Sequence, residues 1–228
     1  MTEPDAQTSA IRTTGAPSPD LAWSEMARGN ERFVAGAPLH PRQDVERRAE
    51  VATGQEPIAA LFGCSDSRLA AEIIFDKGIG DLFVIRNAGQ VISESVVGSI
   101  EYAVAVLNVP LIIVLGHDEC GAVRAAIDSQ AEDATPLPAH IANLISRIVP
   151  AVRRVAGKGD GPIDPASIDS HDVGREHLRD TIAELLEESE LISDAIAAGT
   201  LAIVGANYRL LEGRAEPDIV VGAVTIDA

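Results

Sequence analysis

Cysteine is nearly absent from this chain: two of its 228 residues carry a thiol. That scarcity excludes a disulfide-dense secreted scaffold and leaves metal binding or catalysis as the better use of the pair. Basic side chains are also scarce, with 18 Lys and Arg against 35 Asp and Glu and a formal charge of −17 at pH 7. An excess of acid disfavours a sequence-independent grip on nucleic acid phosphates or anionic lipid, and its simplest meaning is a soluble surface. Long apolar runs are missing too. A bilayer span needs about 20 such residues, and the longest candidate, "AVAVLNVPLIIVL", is short and interrupted by Pro110. The first residues, "MTEPDAQTSAIRTTGAPSPD", have neither the charged start nor the apolar core of a secretory signal. The expectation is a cytoplasmic protein with neither nucleic acid nor membrane as partner.

What is present suffices for one substantial core, since 46% of the residues are hydrophobic. Residues 1–19, rich in Thr, Ser, Pro, Ala and Gly, read as a disordered leader, and 20–228 as a single domain. Ser18 or Asp20 is a candidate cap for an N-terminal helical arm that stops at Gly36, and "RQDVERRAEVAT" is a second helix. Four runs, 58–64, 82–87, 110–117 and 201–208, are apolar almost throughout, as strands buried on both faces of a parallel sheet are. Helical stretches alternate with them: "LAAEIIFDK", "SESVVGSIEYAVAVLN", "PAHIANLISRIVPAVRRVA" and "GREHLRDTIAELLEESELISDAIAAG". The pattern predicts an α/β fold with a mainly parallel central sheet flanked by helices. A C-terminal segment, "RAEPDIVVGAVTID", is expected as an edge strand because Pro217 cannot donate within a ladder. The Gly, Pro and Asp stretch 157–172 reads as a surface loop, and no internal repeat is visible.

The chemistry concentrates at strand ends. In an open parallel sheet, ligands gather outside the carboxyl ends of the strands. Cys64 ends the first apolar run and His117 the third, while Cys120 follows in "GHDEC" where a helix is expected to begin. Each has an ordinary explanation alone: a strand-terminal cysteine as a small buried hydrophobe, a Gly-His as a structural histidine. Their conjunction makes a Cys-His-Cys set, and three protein donors with a fourth place open is the pattern of a catalytic zinc. Iron or cobalt also suits these donors. Two thiolates cancel the ion's formal charge, so the surroundings must help acidify a bound water. In an extended segment positions 64, 66 and 68 share a side, which aims Asp66 and Arg68 toward the metal. The guanidinium favours an ionised Asp66, able to orient a hydroxide or, released from Arg68, to become a fourth ligand and close the site. His40, His140, His171 and His177 are read as ordinary surface histidines, so no proton shuttle is identified.

With these residues in view, "CSDSR" followed by "HxxC" resembles the β-class carbonic anhydrases. The resemblance runs from about Trp23 to Arg214 and includes "GNERFVAG", "DLFVIRNAG", "GSIEYAVAVLNVPLIIVLGH" and "GTLAIVGANY". It implies reversible hydration of carbon dioxide to bicarbonate and a proton through zinc-bound hydroxide. One zinc (Zn2+) per chain would be held by Cys64, His117 and Cys120, with Asp66 and Arg68 as the functional dyad. It further implies a pocket at a subunit interface of a homodimer or higher even-numbered homo-oligomer. Gln55 matches the family's substrate-facing glutamine, and Phe83, Ala88 and Tyr102 match its apolar pocket. The apolar helix carrying Val96, Val97, Ile100, Val104 and Leu107 is a candidate interface, and the N-terminal helix could reach across to a partner. Two departures stand out: Asp118 replaces a frequent serine and adds charge beside the metal, and Leu61 replaces a tryptophan of an inhibitory bicarbonate site that Arg86 otherwise resembles. Three alternatives remain. Hydrolysis of carbon disulfide or carbonyl sulfide would use the same site. A non-catalytic zinc module would not require Asp66, Arg68 or Gln55, and thiol redox chemistry lacks a close Cys-x-x-Cys pair.

Overall fold

The computed structural model describes residues 17–157 and 161–226. Most of the expected leader, residues 1–16, lies outside them. Ser18, one of the two expected caps, starts the first helix, α1 (Pro19–Val34): its hydroxyl accepts from the Leu21 amide at 3.2 Å, and Pro19 occupies the first turn. A short α2 (Val45–Glu50) is capped by Asp44. The elements that follow are β1 (Ala59–Cys64), α3 (Ala71–Ile74), β2 (Leu82–Asn87), α4 (Glu94–Ala105), β3 (Leu111–His117) and α5 (Gly121–Asp128). Then come α6 (Ala139–Ile145), α7 (Val149–Ala156), α8 (Ser170–Glu188), α9 (Glu190–Ala197), β4 (Ala202–Arg209) and β5 (Arg214–Val221).

The five strands form one sheet in the order β2-β1-β3-β4-β5; the first four are parallel and β5 pairs antiparallel on the edge. The α/β expectation therefore holds, C-terminal edge strand included. Pro217 sits where the β4–β5 register shifts, a position that needs no ladder donor. Alternate residues of the central strands feed two cores. Ala59, Leu61, Leu111, Ile113 and Leu115 face the side covered by α1, α3, α5 and α7, while Ala60, Phe62, Ile112 and Val114 face α4, α8 and α9. Burying each large aliphatic side chain contributes about 1.5–3 kcal/mol, which is why strands apolar on both faces end up central.

Two expected helices are each split in two. The 138–156 stretch breaks before α7, whose second residue is Pro150, because proline cannot continue the preceding ladder. The 174–199 stretch breaks at Ser189, whose hydroxyl accepts from the Ile192 amide and starts α9. The "LAAEIIFDK" helix shrinks to the single turn of α3.

Rather than reaching outward, α1 lies on its own sheet. Ala22, Trp23 and Met26 are buried, and the Asn30 amide donates to the carbonyls of Ile74 (3.1 Å) and Gly213 (2.8 Å). Close approach requires Gly29, where a Cβ would stand 1.9 Å from the Phe75 carbonyl oxygen. A methyl group there must push backbone away from backbone. Gly29→Ala is therefore expected to lower stability by about 2 kcal/mol, measured as an earlier midpoint in urea unfolding.

Candidate metal centre

The sheet itself builds the site. β1 lies between β2 and β3, so the chain leaves β1 toward one side and returns on the other, which makes the carboxyl ends of β1 and β3 a topological switch point. Parallel pairing of Gly63 with Leu115 then sets Cys64 and His117, the last residues of their strands, at the same edge. Cys120 is the residue that opens α5. It reaches the other two through a strand–turn–helix connection. Glu119 makes this tight path possible by adopting φ 51°.

The donor atoms of Cys64, His117 and Cys120 all lie within 4.8 Å of one another, and all three residues are buried. The cysteines are not bridged. His117 Nδ1 donates to the Asp118 carbonyl oxygen at 2.7 Å, which fixes the tautomer and leaves the Nε2 lone pair free. That Nε2 is buried without a hydrogen-bond partner. An orphaned imidazole nitrogen facing two thiols matches a zinc or similar soft-ligand site, and each supporting contact orients a donor. The Gly89 amide donates to Cys64 Sγ at 3.3 Å. A hydrogen bond from Cys120 holds the Cys64 thiol down at about 4, with His117 and the backbone amides adding to it. The same pairing and burial push the Cys120 thiol up.

Asp66 and Arg68 come together by a route other than strand alternation. Residues beyond Cys64 leave the sheet in a turn closed by the Leu69 amide on the Asp66 carbonyl at 3.0 Å. Within it, Asp66 Oδ1 accepts from the Arg68 amide and from Arg68 Nε, both at 2.9 Å, and Oδ2 accepts from Arg68 Nη2 at 2.7 Å. Arg68 also donates to the Glu119 carbonyl at 3.2 Å, linking this turn to the His117–Cys120 turn. The guanidinium holds the Asp66 carboxyl well below the usual carboxylate range. Asp66 is not among the three converging donors in this structure.

Residues singled out for other reasons find different places. Arg86 donates to the carbonyls of Cys64 (2.8 Å) and Asp66 (2.5 Å), so its guanidinium braces the metal-side turn; Leu61 is in the core. Asp118 points away from the cluster: its carboxylate accepts from the Leu210 amide at 2.9 Å and faces Arg209 at 3.6 Å. Ala88 is exposed, next to Gly89 at the site. Gln55 precedes β1 and Phe83 pairs with Ala60, placing both toward the amino edge of the sheet. Five strand steps of about 3.3 Å separate Ala59 from Cys64, so that edge is roughly 16 Å from the cluster. Tyr102, 47% exposed on α4, packs its ring 6.1 Å from that of Phe83. His177 is the histidine misjudged from the sequence: it is 3% exposed, and Nε2 donates to the Gly89 carbonyl at 2.7 Å. Its place on the buried stripe of α8, with Val173, Leu178 and Thr181, was the available signal.

Fold and site thus define an α/β protein with a buried Cys-His-Cys centre at the switch point of its sheet. The chain is similar to known proteins. The carbonic anhydrase family model matches residues 59–215. Carbonic anhydrase 2 of Mycobacterium tuberculosis is 51% identical over 198 residues, spanning 87% of this chain and 92% of its own. A carbonic anhydrase of Mycolicibacterium smegmatis is 47% identical over 199 residues, covering 87% of this chain and 93% of its own. Among solved structures, a tetrameric β-carbonic anhydrase of Sordaria macrospora superposes with a TM-score of 0.62 at 27% identity, covering 75% of this chain and 84% of its own. The chain belongs to the carbonic anhydrase family, in its β class.

Sharing one proton between two buried thiols has a measurable signature. As pH rises through about 4, the metal-free protein is expected to gain one thiolate equivalent in ultraviolet absorbance. The second should stay protonated through neutrality, because its acidity is shifted the opposite way. Two thiols titrating together near their ordinary value of 9.0 would contradict this arrangement.

Proposed function

We propose that the protein catalyses reversible hydration of carbon dioxide to bicarbonate and a proton, using one zinc per chain held by Cys64, His117 and Cys120. The observation that carries this reading is an ionised, Arg68-held Asp66 beside a three-donor cluster that it does not join. A purely structural metal site would take four protein ligands and have no use for that dyad. When bound, the ion supplies Lewis-acid activation of water at neutral pH. Asp66, as an acceptor only, orients the water's proton and keeps a lone pair turned to the substrate. Arg68 maintains Asp66 in the ionised form and restrains it from becoming a ligand. Should Asp66 leave Arg68, the same carboxylate can act as a fourth ligand and close the site. His117 is the one histidine of the three-donor cluster and is used as a ligand, so proton export falls to buffer and bulk water.

Carbon dioxide is small and apolar, and calls for a narrow dry pocket more than for many hydrogen bonds. Ala88 offers part of that wall from within the chain. Gln55, Phe83 and Tyr102 lie too far along the sheet to line the same chain's cluster, which favours a homodimer, or a higher even-numbered assembly, in which a second subunit brings them to it. The half-exposed Phe83–Tyr102 pair and the exposed Val106 on α4 are apolar surface suited to that contact. No helix among the described residues is long and apolar enough to cross a membrane, and a cytoplasmic setting in which both thiols stay reduced fits the ligand set.

Metal analysis and stopped-flow hydration test the reading. Wild-type protein should carry one zinc per chain, and Cys64→Ala should lose both metal and rate. Asp66→Asn should keep the zinc while the rate falls by about 10²–10⁴. Zinc retained with an unchanged rate in Asp66→Asn would refute the role given to the dyad. Light scattering is expected to give a dimer or larger even-numbered species at micromolar concentration, and a monomer that is fully active would remove the shared pocket.

A further inference from the structure

The buried face of α8 meets the turn that follows β2, beside the metal centre. His177 Nε2 donates to the Gly89 carbonyl at 2.7 Å, while its Nδ1 is buried with no partner. One helical turn on, the Thr181 hydroxyl lies 3.3 Å from the Gln90 carbonyl and 2.9 Å from that of His177. Two successive carbonyls of the turn after β2 therefore face polar side chains spaced i and i+4 on one helix. On its other side Gly89, at φ +80°, is packed so tightly that a Cβ would stand 2.8 Å from Ala122 Cβ in the first turn of α5. Gly89 is thus held through its carbonyl on one side and its Cα on the other, and its amide donates to Cys64 Sγ at 3.3 Å. Burial lowers the basicity of the His177 imidazole and keeps it a neutral single donor.

We infer that His177 is a positioning residue for the metal-ligating thiolate: by holding the Gly89 carbonyl it orients the Gly89 amide onto Cys64 Sγ, with Thr181 steadying the next carbonyl. An N–H···S hydrogen bond stabilises the sulfur lone pairs and fixes their direction, and outer contacts of this kind set ligand strength as well as geometry. The inference rests on the metal-centre reading above, since it assigns a role toward the same ion. His177 does not touch the three donors, so its effect must pass through the backbone of one turn.

Cobalt(II) titration of the metal-free protein tests it independently of turnover. In wild type a sulfur-to-cobalt charge-transfer band is expected. His177→Leu should weaken cobalt binding by about 10–100-fold and move the band to longer wavelength, because the sulfur lone pairs lose their donor. His177→Gln, whose amide can still reach the carbonyl, should restore both affinity and band to near wild type. Equal defects in Leu and Gln would indicate lost packing alone and overturn the inference, as would a His177→Leu protein with wild-type affinity and band. If His177→Leu does not fold, Thr181→Val decides: a shifted band with weaker binding supports the brace, and unchanged values overturn it. Wild-type protein that takes up no cobalt overturns the metal centre itself, whereas normal uptake with unaffected variants overturns only the role of His177.

Discussion

Parallel pairing of β1 with β3 is the constraint on which the molecule depends. Matching Gly63 with Leu115 leaves Cys64 and His117 as neighbours where both strands stop, and a shift of the register would move one donor about 3.3 Å along the sheet. That pairing is stable because both strands are buried on both faces, between two separate apolar layers. The small residues just before the donors, Gly63 and Gly116, keep the approach close; a Cβ on Gly116 would lie 2.9 Å from Asn207 Oδ1. The candidate metal centre is thus a product of core packing in the first instance, with its three possible donors placed at the rim.

Around those donors, backbone groups carry as much of the architecture as side chains do. Arg86 ties the carbonyls of Cys64 and Asp66, Arg68 ties Asp66 to the Glu119 carbonyl, and His117 is aimed by the carbonyl of Asp118. Asp118 in turn is anchored to the start of the β4–β5 turn through the Leu210 amide. Charge follows the same economy. Among the acidic side chains flanking the donors, Asp66 is kept ionised by its own arginine, and Asp118 is bound to the Leu210 amide and faces Arg209. The site therefore gains a hydrogen-bond acceptor whose charge is balanced by a guanidinium.

The separation between the two edges of the sheet gives the oligomer a chemical meaning. A strand of six residues is long enough that groups at its amino end cannot serve a centre at its carboxyl end within one chain. Gln55, Phe83 and Tyr102 sit on the far side, yet Ala88 stands beside the donors. Under the proposed function, assembly completes a substrate pocket and not merely a surface, and the apolar ring pair on α4 and β2 would be buried by the step that makes the enzyme competent.

Much of this could be read from residue order because the signals are local or periodic. Uninterrupted apolar runs located all four parallel strands to within a residue, Pro217 marked the edge strand, and Cys64 and His117 at strand ends with Cys120 at a helix start named the cluster. Where the reading erred, long-range contacts had decided the matter. Asp66 and Arg68 meet through a turn and not an extended strand, and Ser189 and Pro150 cut apparent single helices in two. His177 lies on the buried stripe of α8, which helical periodicity marks, but the carbonyl it meets belongs to a distant turn that no local pattern encodes. Composition and spacing by themselves determined the fold class and the donor set, since both follow from side-chain chemistry along the chain. Which donor is braced by which amide, and which residues one chain can bring to its own centre, only the tertiary structure decided, because those depend on distances across a sheet and not along a sequence.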